Sequence, residues 1–116
     1  MRKKTYKGRC DKQSLDKFTT VCKTYEPLQS VYANILAKSQ DIVEARCNVV
    51  LDGEDCSKYM TDFVCIKTDG ELMVRECMSH KLLSRPQMAK LLDLSRTYWL
   101  RRGVKDWGIV TDATKE

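Results

Sequence analysis

The sequence predicts a mixed α/β domain with the order helix, strand, strand, strand, helix, strand. Three observations lead there. Two stretches of helical apolar spacing each carry a proline at their start, at Pro27 and Pro86. Between them, residues 59–78 alternate in the manner of two strands around Thr68-Asp69-Gly70. A short strand-forming stretch, 107–111, follows the second helix. A chain of 116 residues has room for one packed core and not for two. Residues 1–24 are expected to be a basic arm with a short helix, and 25–116 the main domain.

Taken in order, residues 12–23 are expected to form that short helix. Leu28, Val31, Tyr32, Ile35 and Leu36 then repeat at helical spacing behind Pro27, where a first-turn proline forfeits no hydrogen bond. Residues 42–51 read as a strand and 51–55 as a polar loop. In the hairpin, Gly70 suits the left-handed position of a three-residue connection. Ser84-Arg85-Pro86-Gln87 has capping-box spacing, and Met88, Leu91, Leu92, Tyr98 and Trp99 share one face of the long helix that follows. Gly103 is a natural stop for it.

Composition is that of a soluble globular domain, with 32% charged and 42% hydrophobic residues. No apolar run is long enough to span a bilayer, and no apolar signal segment follows the basic N-terminus, so a cytoplasmic protein without a membrane partner is expected. The net charge is +5. Basic residues gather early, with Lys3, Lys4 and Lys7 among them, and again at Arg101, Arg102 and Lys105. Such patches attract polyphosphates such as DNA, or else are solvated faces. The six cysteines lack the paired spacing of a zinc knuckle, and His80 is the sole histidine. Reduced thiols are expected, with Cys65 and Cys77 packed on the second face of the hairpin.

The register set by Thr68-Asp69-Gly70 makes Ile66 face Leu72, Val64 face Val74, Asp62 face Glu76 and Met60 face Met78. A shorter loop would slip the register by one and send the two acids to opposite faces. Opposed residues have Cβ atoms about 4.5–5.5 Å apart, and two carboxylates that close repel unless a proton or cation lies between them. A hard divalent cation such as Mg²⁺ suits those oxygens. The plain alternative is a pair of solvated acids at the end of the sheet.

With these elements placed, Tyr59-Met60-Thr61-Asp62-Phe63-Val64, Val74-Arg75-Glu76, and the ending Lys90-Leu91-Leu92, Tyr98-Trp99-Leu100-Arg101-Arg102-Gly103 and Asp106-Trp107-Gly108-Ile109-Val110-Thr111 carry a resemblance. The chain resembles the restriction-endonuclease-like nucleases, and more specifically the N-terminal catalytic domain of TnsA-type subunits of heteromeric transposases, over residues 25–111. The resemblance implies a restriction-endonuclease-like mixed sheet and a DNA endonuclease dependent on Mg²⁺ or Mn²⁺. It also implies DNA, an integrase-like transposase subunit and an ATPase regulator as partners. By the same resemblance Asp62 matches the metal-binding Asp and Glu76 the second acidic position. The motif lysine falls on Met78, and the helix glutamate on Gln29, with Glu26 one turn earlier. Lys81 and Lys67 are the candidates to replace the lysine. Three readings stay open: a DNA-cutting subunit, a non-catalytic relative that binds DNA or the transposase partner, and a small domain whose acids are incidental.

Overall fold

Nine elements succeed one another in the computed structural model, which describes residues 11–19, 21–51 and 59–112. They are β1 (Asp11–Gln13), β2 (Cys22–Thr24), α1 (Pro27–Lys38), β3 (Ile42–Val50), β4 (Met60–Lys67), β5 (Leu72–Cys77), α2 (His80–Leu83), α3 (Pro86–Arg101) and β6 (Asp106–Val110). The fold is mixed α/β. Its order departs from the expected one by the β1–β2 pair at the start and by α2 between β5 and α3. The basic arm with Lys3, Lys4 and Lys7, and most of the expected polar loop, lie outside the described residues. Among the described residues no helix is long and apolar enough to cross a membrane.

The main sheet is ordered β3-β4-β5-β6, antiparallel except that β6 runs parallel to β5. The hairpin forms as its loop chemistry demands. Gly70 adopts φ 86, Lys67 and Glu71 close the turn through an N–H···O bond of 2.9 Å, and Val64 pairs with Val74 and Ile66 with Leu72. Alternation then sorts the side chains. Phe63, Cys65, Met73 and Cys77 pack under α1 with Ala33 and Leu36. Val74 and Met78 pack with Met88, Leu91, Leu92 and Trp99 of α3, joined by the partly buried Val64. The two long helices therefore cover opposite faces of one sheet, as half-buried elements require.

Three local expectations are corrected. Residues 12–23 are not a helix but β1, a turn and β2, paired antiparallel. Lys17 turns the chain at φ 74, and the β-branched Thr19 and Val21 favour extended backbone. This hairpin docks on β3, where the Ala45 N–H donates to the Lys17 carbonyl at 2.8 Å and Phe18 bridges Ala45. The capping box is not made: Arg85 is the N-cap without a side-chain bond, and the Ser84 hydroxyl closes α2 by donating to the Lys81 carbonyl at 2.9 Å. Finally, α1 is rotated from its expected face. Gln29, Ala33 and Leu36 are buried, whereas Val31 and Ile35 are 59% and 55% exposed. At the other end of α3, Gly103 at φ 85 stops the helix as expected.

Candidate functional site

Strands β4 and β5 hold a regular ladder only as far as Phe63↔Arg75. Beyond it, side chains take over the bonding. The Asp62 N–H donates to Glu76 Oε1 at 3.1 Å, and the Cys77 N–H donates to Asp62 Oδ2 at 2.6 Å. Each carboxylate thus reaches into the fork between the strands and binds the neighbouring backbone. Asp62 and Glu76 meet there, as their register required.

Both helices contribute to this fork. From α1, the Gln29 amide donates to Asp62 Oδ1 at 2.6 Å while its own carbonyl oxygen accepts the Tyr25 N–H at 2.8 Å. Those two bonds explain why α1 turns a glutamine inward where periodicity alone would place Leu28 and Val31. From α3, the Ser95 hydroxyl donates to Glu76 Oε2 at 2.5 Å and accepts the Trp107 indole N–H at 3.0 Å. Trp99 donates to Thr61 Oγ1 at 2.9 Å beside the same fork. The Tyr59 phenol faces Glu76 and Ser95, and burial first, then the charges of Glu76 and Asp62, holds it well above the usual tyrosine range. Gln29, Thr61, Asp62, Glu76 and Ser95 are all at most 1% exposed.

Sequence reasoning missed Ser95 and Trp107. The signal for Ser95 was a lone hydroxyl in the buried stripe Met88, Leu91, Leu92, Ser95, Trp99, a position that needs a buried partner.

The other expected site residues fall elsewhere. Met78 is 3% exposed in the apolar core under α3, two residues beyond Glu76. Glu26 is the N-cap of α1, where its side chain makes no capping bond and its backbone carbonyl accepts the Ser30 N–H. Lys67 lies five residues from Asp62, about 16 Å along an extended strand, and donates to Asp106 Oδ2 at 2.9 Å. Arg75 joins that ion pair, donating to Asp106 Oδ1 at 2.7 Å. Lys81 is exposed on α2. Arg101 at the C-terminal end of α3, and Arg102 and Lys105 beyond it, are exposed, with the Arg102 guanidinium 3.5 Å from the Tyr98 ring centroid. Arg101 follows Ser95 by six residues, about 9 Å along the helix axis.

By chemical kind, two carboxylates and an amide suit a hard divalent cation. In this arrangement each of the four carboxylate oxygens already accepts one hydrogen bond. Among the described residues no group of three or more His, Cys, Asp or Glu side chains is placed to hold a metal. In comparison with known proteins, no family model matches the chain and no curated protein matches it.

Proposed function

We infer that the chain is a DNA-acting subunit of a multi-component transposase. It is built on a restriction-endonuclease-like fold and cuts phosphodiester bonds with Mg²⁺ or Mn²⁺ held by Asp62 and Glu76. The observation that carries this reading is the convergence of Gln29, Asp62 and Glu76 from α1, β4 and β5 into one fork. These are the positions at which the resemblance to TnsA-type subunits puts the helix residue and the two sheet acids. When bound, the cation supplies Lewis-acid polarisation of the scissile phosphate. Asp62 and Glu76 would hold it, Ser95 fixes the rotamer of Glu76, and Gln29 would orient a water once turned from Asp62. The exposed Arg101, Arg102 and Lys105 supply charge for the DNA backbone, and a transposase subunit and an ATPase regulator direct the cut.

A second reading draws on a separate observation. Both acids are fully buried, and a buried methionine, Met78, stands at the lysine position. Those features favour a subunit that keeps the fold to bind DNA or the transposase partner without cutting.

One experiment divides the two: nicking of supercoiled plasmid in Mn²⁺, and DNA binding between about 50 and 200 mM salt, for the native chain, Asp62→Ala and Asp62→Asn. Metal-dependent nicking lost in both variants, each melting as a folded protein, supports the nuclease. Salt-sensitive binding shared by all three without any nicking supports the binding subunit. Absent or salt-insensitive binding overturns both.

A further inference from the structure

We propose that Cys22 and Cys47 form an oxidisable dithiol, a modification site at which a hydroperoxide closes a Cys22–Cys47 bond between β2 and β3. This site stands apart from the acid pair and from any nuclease chemistry.

The two thiols are brought together by an irregularity in β3. Asn48 adopts φ 55, in the left-handed region that asparagine tolerates better than most residues. It interrupts the pairing of β3 with β4 between Cys47↔Phe63 and Val49↔Thr61. Its side-chain amide donates to the Lys23 carbonyl at 2.7 Å, which clamps β2 against β3. Under that clamp Cys22, 0% exposed, and the partly exposed Cys47, each one residue before a clamped position, pack into the same core.

The contact makes the two thiols unlike. Donation from Cys22 is the main reason the Cys47 pKa falls to about 7, against the opposing effect of burial, with the Lys23 backbone and charge helping. Cys22 is pushed up by the same contact and by burial. Cys65, elsewhere in this core, is pushed up to about 12 by burial. Cys47 therefore loses its proton well before Cys22 does as pH rises, and the thiolate is the nucleophile.

The chemistry balances in two steps. The Cys47 thiolate attacks the hydroperoxide, the O–O bond breaks, and a sulfenic acid forms as water or an alcohol leaves with one proton from solvent. The Cys22 sulfur then displaces the sulfenic hydroxyl, the S–S bond forms, and water leaves with the Cys22 proton. The dithiol is oxidised by two electrons and the peroxide reduced by two. Closing the sulfurs to about 2 Å asks movement of β2, a three-residue strand whose ladder partner is β1.

The test treats the reduced full chain with stoichiometric hydrogen peroxide, blocks remaining thiols with iodoacetamide and maps tryptic peptides. Peptide 18–23 joined to 47–58 is expected in the native chain and in Cys56→Ser, which removes the second cysteine of the latter peptide, and not in Cys47→Ser. In parallel, the rate of Cys47 alkylation should reach half its maximum near pH 7, as its pKa of about 7 requires, and should move toward the ordinary thiol value of about 8.5 in Cys22→Ala. A cross-link between other cysteines, no cross-link, or native Cys47 alkylating only in the ordinary thiol range overturns the proposal. The native-chain map decides even where Cys22→Ala fails to fold.

Discussion

Ser95→Ala isolates what holds Glu76 in place. The hydroxyl makes two bonds, a buried one to a carboxylate oxygen at 2.5 Å and a partly buried one from the Trp107 indole at 3.0 Å. A hydrogen bond to a charged group contributes about 1.5–3 kcal/mol and a neutral one about 0.5–1.5 kcal/mol, and water does not readily replace partners at a position with no exposure. The expected loss is therefore about 2–4 kcal/mol, or a fall in Tm on the order of 10 °C for a domain of this size. The substitution creates almost no cavity, so packing contributes little. Urea unfolding followed by tryptophan fluorescence measures it, with Trp99 and Trp107 both beside the site. Ser84→Ala is the internal control, because that exposed hydroxyl makes a single bond to the Lys81 carbonyl and its removal should cost under about 0.5 kcal/mol. A Ser95→Ala loss no larger than the control's would refute the claim that α3 pins the acid pair.

Met78→Lys should cost about 2 kcal/mol or more, since it places an ammonium where a methionine packs against Val74, Met88 and Leu91. The same variant should raise Mg²⁺-dependent plasmid nicking, because the new amine starts on the strand face of Glu76; a folded variant with no gain counts against the nuclease. Asp106→Asn should cost about 1 kcal/mol at pH 7 by loosening the pairs with Lys67 and Arg75, the Asp106 side chain being one-third exposed. Lys67 first, then Arg75, holds the Asp106 carboxyl below its usual range. Its contribution is thus present above the unfolded pKa of about 3.9 and fades as pH falls through the lower folded value. Urea midpoints against pH should show the native and variant chains converging in acid, and a gap that persists at pH 2 would contradict the ion-pair account.

The hairpin and its consequences were legible because a three-residue Thr68-Asp69-Gly70 loop keeps the apolar residues on one face, and that register carries Asp62 and Glu76 to the same fork. The start of α1 and both ends of α3 were legible too, from Pro27, Pro86 and Gly103. The β1–β2 hairpin was not. Its strands are three residues long, too short for period-two alternation to register, and its turn depends on Lys17 at positive φ, which no residue preference announces. Apolar spacing also misjudged the rotation of α1, because a pair of hydrogen bonds through Gln29 outweighs leaving Val31 and Ile35 in water. Ser95 and Trp107 join Glu76 from segments nineteen and thirty-one residues away, and that closure is a property of the tertiary fold rather than of local pattern.

Parallel pairing of β6 with β5 has a consequence for the order of folding. Strands β3, β4 and β5 are successive in sequence and pair antiparallel as a meander, so it can assemble early at small entropic cost. β6 can add only after α2 and α3 have crossed the sheet, since a parallel strand needs a long connection. Ser95 and Trp107 arrive with that late half. During synthesis Asp62 and Glu76 therefore emerge before the residues that complete their surroundings, because Ser95 and Trp107 both follow them in the chain.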